Sequence, residues 1–417
     1  MFLDYMNSNN LSRLALVGTN SQGKSYLIAN TFKKELLKKS ILIGNEVKAD
    51  ENLKNSADNS TLITWLNTLM DNSKIKDEID NEINKIDLSE INKDSFLNIS
   101  LQNNLTSYKG IISAEIKTSS NEWGKPGSGE KFLGQLILIS KILEDNKDDT
   151  YEYLVIDEPE QHLHPSLYIK IASILNKISN QGIKVIIATH SPVITQYFVE
   201  DTKEIIKVTN GNCKYFPKKE DLIMNSLKFD CYQKDELTMS DYTKIKDKYT
   251  AYFDNFVYPI IIKSLFCRYM LVGEGVAERK IFELYLLKYG ATLNKNDIDY
   301  CIVDGKIFFP CILQTLKDIG IKTITLHDLD AENQAIHQYL NEQIKLLSNK
   351  VISLKPDLEN YLGITQEIKK QENYDKYRVA TIMMNQYYLD DNLRLNELFN
   401  KISQMIEELN SEEKQGK

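Results

Sequence analysis

The chain has 417 residues, enough for two or three domains, and its 42% hydrophobic and 26% charged residues are typical of a globular protein. The net charge of −8 excludes a global electrostatic attraction to nucleic acid, so such binding would need local lysine clusters or bound metal ions. No apolar run is long enough for a transmembrane helix, no signal peptide is recognisable, and the five cysteines include no C-x-x-C pair, which together predict a protein of the reducing cytoplasm.

Residues 18–25 read Gly-Thr-Asn-Ser-Gln-Gly-Lys-Ser and fill every position of the pattern G-x-x-x-x-G-K-[ST]. An apolar strand candidate precedes them at 14–17 and a helical stretch follows at 26–37, the context that this pattern requires. The glycines let backbone N–H groups face phosphate oxygens, Lys24 can reach the β- and γ-phosphates, and Ser25 offers a hydroxyl to Mg²⁺. We therefore predict a phosphate-binding loop with the nucleotide-binding residues Gly18, Asn20, Gly23, Lys24 and Ser25.

The polar stretch 45–110 carries four isoleucines at helical spacing between positions 75 and 86, which predicts a helical insertion. Further on, Gly127-Ser128-Gly129-Glu130 precedes an apolar helical stretch at 132–143. On its own this tetrapeptide is a weak loop signal. With Ser128 at a helix N-terminus it is a candidate for a second anion-binding position.

A strand that ends in two carboxylates comes next, with Asp157 and Glu158 directly after the apolar residues 153–156. Beside a phosphate loop, such a strand places Asp157 in the Mg²⁺ shell, and Glu158 can orient or deprotonate an attacking water. The following strand, 185–189, ends at His190, which could contact a γ-phosphate, although a lone histidine at a strand end is more often structural. Together with the phosphate loop, this order favours a nucleoside-triphosphate site.

Strands and helices alternate again from Cys267 onward, which predicts a second domain with a parallel sheet. Glu274 ends its first strand, Glu278 follows one helical turn later, and Asp328 and Asp330 follow its third strand. The carboxyl ends of parallel strands meet at one edge, so these carboxylates should converge and need cations, for which hard oxygen ligands suit Mg²⁺ or Mn²⁺. Any one of them alone is more often a solvated surface group, but the combination predicts a metal site.

The order of motifs in the first half resembles the ABC-type ATPase heads of SMC and related DNA-processing proteins. After the phosphate loop come S-G-E at 128–130, L-V-I-D-E-P-E-Q-H-L-H-P at 154–165, a form especially similar to AAA15-like ATPases, and A-T-H-S-P at 188–192. The resemblance implies a head-to-head homodimer with two ATP molecules between the subunits, where Ser128 of one subunit touches the γ-phosphate bound by the other. It also implies that Asp157 holds Mg²⁺ through water, that Glu158 is the general base and that His190 is the switch residue.

The second half resembles a Toprim domain, the fold of topoisomerases, primases and OLD-family nucleases. The matching residues are E-G-x-x-E at 274–278, V-D-G-K at 303–306 and D-L-D at 328–330. The resemblance implies that Glu274, Asp328 and Asp330 are catalytic and, with Glu278, bind the metal. The segment L-K-P-D-L-E at 354–359 resembles the downstream acidic segment of OLD-type Toprims, which makes Glu359 a further candidate ligand.

An ABC-type head followed by Toprim is the layout of OLD-family proteins. The expected organisation is an α/β ATPase domain over 1–216 with its helical insertion, a helical connector over 217–265, and a Rossmann-like Toprim domain with a parallel sheet and C-terminal helices over 266–417. The resemblance implies an ATP-regulated endonuclease that cleaves DNA by two-metal phosphodiester hydrolysis in bacterial anti-phage defence.

Several alternatives stay open. The nuclease could cleave RNA, such as tRNA, instead of DNA. The chain could be an ATP-driven sensor with a separate effector, although the intact carboxylates count against this, or an SMC-like structural ATPase, although no stretch sustains the heptads of long coiled-coil arms. Self-association could give a dimer or a tetramer, a helicase or other defence protein could be a partner, and ATP could either activate or restrain cleavage.

Overall fold

The computed structural model describes residues 2–19, 22–32, 36, 40–43, 97–100, 115–118, 136, 140, 152–161, 163–227, 250–290, 298–329, 335–363, 381, 383–385 and 393–415. The chain divides into two compact units, Met1–Phe216 and Pro217–Lys417. Each unit is built around a sheet of its own and has a separate hydrophobic core.

The strands described in the first unit are β1 (Arg13–Val17), β2 (Ser40–Ile43), β3 (Leu97–Ser100), β4 (Glu115–Thr118), β5 (Tyr153–Asp157), β6 (Lys184–Thr189), β7 (Ile205–Thr209) and β8 (Asn212–Tyr215). Six of them form one sheet in the order β2-β5-β6-β1-β7-β8, and β3 pairs with β4 in a separate antiparallel ribbon. All neighbours in the large sheet are parallel except the β7–β8 hairpin.

Helices follow several of these strands, as is usual for a parallel sheet. Those described are α1 (Phe2–Ser8), α2 (Lys24–Thr31), α3 (Tyr168–Asn180) and α4 (Pro192–Phe198). In α3 the buried apolar residues recur at the three- and four-residue spacing of one helix face, at Ile171, Ile174, Leu175 and Ile178. Both β1 and β5 are buried along their whole length, which is why residues 14–17 and 153–156 read as apolar runs in the sequence.

The strand that carries Asp157 is separated from the strand that leads into the phosphate loop by β6, which is hydrogen-bonded to both. The sequence predicted no strand order for this sheet. The expected helical insertion over 45–110 lies almost wholly outside the described residues, and its described part, Leu97–Ser100, is a strand. A short polar segment can pair as a strand when a partner supplies the ladder bonds, which helical spacing elsewhere in the stretch does not reveal.

The second unit is built on a wholly parallel sheet, which confirms the predicted α/β fold with a parallel sheet. Its strands are β9 (Tyr269–Gly273), β10 (Ile298–Ile302), β11 (Lys322–Asp328) and β12 (Lys350–Leu354), in the order β10-β9-β11-β12. The sequence analysis identified the first three as strands but not β12, which is the edge strand next to β11.

The helices described in this unit are α5 (Lys219–Leu227), α6 (Tyr258–Ser264), α7 (Val276–Tyr289), α8 (Phe309–Asp318), α9 (Ala335–Leu347), α10 (Leu358–Leu362) and α11 (Leu393–Gln415). A π-helical turn, Phe253–Val257, leads into α6. The described residues of the expected connector pack within this unit: the Asn225 side chain donates to the Asp318 carboxylate at 3.1 Å, and the Tyr252 and Phe308 rings stack with centroids 4.7 Å apart. No helix within the described ranges is long and apolar enough to cross a membrane.

The long helix α11 completes the core of the second unit. Its apolar residues at three- and four-residue spacing pack with α7 and the sheet in one buried cluster, to which α11 contributes Leu395, Leu398, Phe399, Ile402, Ile406 and Leu409. The Tyr285 ring of α7 meets the Phe399 ring edge-on at a centroid distance of 5.7 Å. Residues more than 100 positions apart therefore share one core.

We expect Phe399→Ala to destabilise the second unit by about 3–5 kcal/mol, because a fully buried aromatic ring is lost and leaves a cavity. Hydrogen–deuterium exchange of the full chain, read on peptides from α7 and α11, measures this loss as reduced protection. Leu393→Ala is the matched control in the same helix, since Leu393 is 79% exposed and its truncation should cost no more than about 0.5 kcal/mol. Equal effects of the two substitutions would contradict the packing described.

Candidate functional site

The turn that follows β1 uses backbone conformations that glycine adopts readily. Gly18 has φ +148° and Gly23 has φ +89°. A Cβ on Gly18 would lie 2.5 Å from the carbonyl oxygen of Val208 in β7, so no side chain fits there. The loop therefore packs backbone against backbone and runs directly into α2, which begins at Lys24 and carries Ser25 in its first turn.

The turn of the β7–β8 hairpin is hydrogen-bonded to the phosphate loop. The Asn210 backbone N–H donates to the Gln22 side-chain oxygen at 2.7 Å, and the Gly211 N–H donates to the Gln22 carbonyl at 2.9 Å. A Cβ on Gly23 would lie 3.5 Å from Gly211, an ordinary contact distance, so the φ of +89° rather than lack of space favours glycine at position 23. Nothing in the hairpin sequence marks it as part of a phosphate site, so this contribution was not predicted.

Lys24 lies at the centre of the site and is only 4% exposed. Its ammonium donates to the carbonyl oxygens of Gly18 at 3.0 Å and Thr19 at 3.2 Å, and to Nε2 of His190 at 2.9 Å. Burial lowers the pKa of Lys24 to about 8, and the carboxylates of Glu158, Asp157 and Glu160 oppose that shift. The ammonium is thus surrounded by acceptors, and a phosphate group at this position would supply the anionic partner that it favours.

His190 follows β6 and adjoins both Lys24 and Glu158. The Lys24 ammonium lies 2.9 Å from Nε2 and 3.3 Å from Nδ1 of His190, and since the ammonium can only donate, the ring nitrogen that pairs with it is the unprotonated one. Glu158 Oε1 lies 3.3 Å from the same Nε2. Burial, and then the charge of Lys24, lower the pKa of His190 to about 4, so the ring is neutral near pH 7.

Asp157 and Glu158 occupy the end of β5, facing the end of β6. Asp157 is 7% exposed and is the last residue of the strand. Glu158 adopts φ +55°, a left-handed conformation that costs a non-glycine residue about 1–3 kcal/mol and usually marks a functional position. Its N–H donates to the Ala188 carbonyl at 2.8 Å, so the turn is tied to β6 directly after the Asp157–Ala188 pair.

Glu160 is a site residue to which the sequence analysis gave no role. Its carboxylate accepts from the Thr189 hydroxyl at 2.7 Å and from the His190 backbone N–H at 2.5 Å. Burial raises the pKa of Glu160, while these two hydrogen bonds oppose the rise. Its position two residues after Glu158, in the same motif, was the only signal in the sequence.

The structure thus brings Gly18, Gly23, Lys24, Asp157, Glu158 and His190 together at one end of the sheet, with Ser25 in the first turn of the adjoining helix. The positive-φ glycines and the buried ammonium fit a nucleotide phosphate chain. Asn20 and Ser128, both predicted to bind the nucleotide, lie outside the described residues.

The acidic site of the second unit begins where β9 meets α7. Glu274 directly follows β9, and Glu278 is buried in the first turn of α7, where its carboxylate accepts from the Gly275 N–H at 2.8 Å. A Cβ on Gly273 would lie 2.6 Å from Cβ of Glu278 and 2.8 Å from the Phe282 ring. Glycine at the strand end is therefore what lets α7 bring Glu278 so close to the sheet.

A third acidic residue, Glu359, affects the pKa of Glu278. Burial, and then the negative charges of Glu274 and Glu359, raise the pKa of Glu278 to about 6 against the hydrogen bond from the Gly275 N–H. Glu359 lies in α10, which follows β12 at the same edge of the sheet. The charge of Glu359 therefore acts on Glu278, while the predicted role of Glu359 as a metal ligand stays a prediction.

Asp328 ends β11, the strand between β9 and β12. Because Leu326 pairs with Gly273, Asp328 and Glu274 leave the sheet at the same edge. The loop after β10 connects the two: the Gly305 N–H donates to the Glu274 carbonyl at 3.2 Å, and the buried Lys306 ammonium donates to the Asp328 carbonyl at 2.5 Å. The V-D-G-K motif thus fixes the backbone on which two of the predicted ligands stand.

The side chains at this edge are carboxylates, and the negative charges of Glu274 and Glu359 add to the effect of burial in raising the pKa of Glu278. That chemistry fits a divalent cation with oxygen ligands. Asp330 lies outside the described residues, and within those that are described no three His, Cys, Asp or Glu side chains are grouped closely enough to hold a metal ion.

Comparisons with known families match both units. The family described as "AAA domain, putative AbiEii toxin, Type IV TA system" matches residues 133–195, which contain Asp157, Glu158 and His190 but not the phosphate loop. The family described as "Overcoming lysogenization defect protein-like, TOPRIM domain" matches residues 265–330, which contain Glu274, Glu278 and Asp328.

The chain is also similar to the Old nuclease of Escherichia phage P2, with 27% identity over 235 residues. The alignment covers 55% of this chain and 36% of that protein, so the matched part spans about a third of the relative's length. A solved structure of the ATP-binding subunit of an ABC transporter aligns with 57% of this chain and 88% of its own, at 14% identity and a TM-score of 0.31, a likeness too low to bear on the fold. The family matches confirm the resemblance to OLD-family fusions of an ATPase domain with a Toprim domain.

We expect the ring of His190 in the nucleotide-free protein to titrate with a pKa of about 4, against an ordinary value of 6.5, because burial and the Lys24 charge disfavour its protonated form. The folded state then binds fewer protons than the unfolded state between these pH values, so this residue's contribution to stability falls as the pH falls through that window. NMR titration of ¹³C-labelled histidine rings measures the pKa.

Lys24→Met is the matched variant for this titration. It removes one of the two causes of the shift, so the pKa of His190 should rise toward its ordinary value. A pKa near 6.5 in the unaltered protein would show that the ring is not enclosed as described.

Proposed function

We propose that this chain, which joins an AAA-type ATPase domain to an OLD-like TOPRIM domain, is an ATP-regulated, divalent-metal-dependent endonuclease. We further propose that it acts in the bacterial cytoplasm, cleaves DNA phosphodiester bonds in anti-phage defence and self-associates through its ATPase units. The observation that carries the proposal is the acidic edge of the second unit, within the region matched to the TOPRIM family, where Glu274 directly follows β9, Glu278 is buried in the first turn of α7 and Asp328 ends the neighbouring strand β11. The phage relative named Old nuclease supports the same activity.

In the first unit, the phosphate loop and Lys24 bind the β- and γ-phosphates of ATP, and Ser25 and Asp157 hold its Mg²⁺. Glu158 is placed to accept the proton of the attacking water. His190, which is neutral and hydrogen-bonded to Lys24, is placed to sense whether the ammonium is engaged by the protein or by a γ-phosphate. This exchange of partners gives the site two states that nucleotide can select between.

In the second unit, Glu274, Glu278, Asp328, Asp330 and Glu359 would hold Mg²⁺ or Mn²⁺. When bound, such ions polarise a phosphodiester and lower the pKa of water. The residues of this chain supply the anionic ligands, and the loop through Gly305 and Lys306 keeps two of them in register. ATP binding gates cleavage in this proposal rather than driving it.

We expect Asp328→Asn to reduce DNA cleavage by more than about 100-fold while leaving ATP hydrolysis intact, because the amide cannot act as an anionic metal ligand. Glu158→Gln should reduce ATP hydrolysis by about 10²–10⁴-fold, because the general base is lost. Plasmid nicking by the full chain with Mg²⁺ or Mn²⁺, with and without ATP, and phosphate release from ATP measure the two activities.

Asp299→Asn is the matched control for this experiment. Asp299 lies in β10 of the same sheet and pairs with Lys263 at 2.8 Å, so its amide variant should keep both activities. Absence of DNA cleavage with every metal, together with intact ATP hydrolysis, would overturn the DNA-nuclease proposal. Cleavage of RNA by the same preparation would then indicate an RNA nuclease. If neither DNA nor RNA were cleaved, the result would favour a sensor with a separate effector.

A further inference from the structure

The turn after β5 contains two acidic residues with different surroundings. Glu158 is strained and close to His190, whereas Glu160 is partly buried and has both carboxylate oxygens engaged. One oxygen accepts from the side chain of Thr189 and the other from the backbone of His190, so a single carboxylate is hydrogen-bonded to two successive residues at the end of β6. A carboxylate accepting from backbone and hydroxyl donors forms stronger bonds than a neutral group would.

Further hydrogen bonds connect these residues to α4. The Thr189 hydroxyl, while donating to Glu160, accepts from the Ser191 N–H at 2.9 Å. The Ser191 hydroxyl in turn accepts from the Ile194 N–H at 3.2 Å and caps α4. Glu160 is therefore the first member of a hydrogen-bonded chain that fixes the residues on both sides of His190.

These hydrogen bonds also support the strained backbone conformation of Glu158. A left-handed non-glycine conformation persists only where surrounding contacts over-determine it. The Glu158 N–H bond to Ala188 holds one end of the turn, and the Glu160 carboxylate holds the other. Both contacts are made to β6, so the turn that carries the proposed general base and the strand end that carries His190 are held as one piece.

We propose that Glu160 is a positioning residue for ATP hydrolysis, whose carboxylate fixes Glu158 and His190 relative to each other. The proposal deepens, and rests on, the ATPase function proposed above. It assigns Glu160 no contact with nucleotide, so its loss should affect the chemical step more than binding. Small misplacements of a catalytic group can cost about 100-fold in rate.

The test compares Glu160→Met, which removes both acceptors at similar length, with the conservative Glu160→Gln, whose amide oxygen can still accept from the His190 N–H. We expect Glu160→Met to lower kcat for ATP by about 100-fold and to change the Kd of a fluorescent ATP analogue by less than about threefold. Glu160→Gln should recover most of the lost kcat. Thr189→Val, which removes only one of the two donors, should give an intermediate loss.

Glu204→Met is the matched control, since Glu204 is also buried, also has a raised pKa through burial, and accepts backbone N–H bonds from Glu200 at 2.7 Å and Asp201 at 3.3 Å. Glu204 lies directly before β7, and Glu204→Met should leave kcat unchanged even if the protein becomes less stable. A kcat of Glu160→Met within about threefold of the unaltered protein would overturn the proposal. The proposal would also be overturned if Glu160→Met lowered kcat and nucleotide affinity together and Glu204→Met lowered both in the same way.

A second readout does not depend on hydrolysis. The chain has five histidines, so backbone ¹⁵N-histidine labelling of the nucleotide-free protein gives few amide signals, and His190→Asn identifies that of His190. An amide that donates to a carboxylate resonates at low field, and Glu160→Met should move the His190 signal upfield. If the unaltered protein binds but does not hydrolyse ATP, the ATPase proposal fails, and this signal alone decides the positioning role: no shift overturns it.

Discussion

The ladder of hydrogen bonds between β1 and β6 is the constraint on which the first unit depends. Its register sets Val17, the last residue before the phosphate loop, opposite Thr189, the last residue before His190. A parallel ladder cannot shift by one residue without turning every buried side chain to the other face. The buried strands therefore lock the register, and the register in turn brings the Lys24 ammonium to the imidazole across the strand ends.

Much of this arrangement could be predicted from the sequence, because the informative signals were local. The phosphate loop, the strand ending in Asp157 and the start of α7 near Glu278 each depend on a short stretch of residues whose type reveals its structure. The insertion of β6 between β1 and β5 could not be predicted, since strand order depends on contacts distant in the chain. The role of Glu160 was hidden for the same reason: its partners lie 29 and 30 residues further along.

In the second unit, the same limit applied to a glycine. Gly273 directly precedes the acidic motif at 274–278. In the structure α7 approaches the strand end so closely that a Cβ on Gly273 would overlap Glu278. This glycine is thus what allows a buried carboxylate to reach the sheet edge. Asn20, Ser128 and Asp330 stay predictions, since they lie outside the described residues.

The docking of the β7–β8 hairpin on the phosphate loop has a consequence for the order of folding. The loop is encoded within the first 25 residues, yet Gln22 receives its hydrogen bonds from Asn210 and Gly211, a separation of 188 residues for the first of them. Contacts of such long sequence separation are slow to form, and a chain emerging from the ribosome gains them only after the distant partner has been made. The nucleotide loop, although nearly first in the sequence, is among the last parts of its unit that can be completed during synthesis.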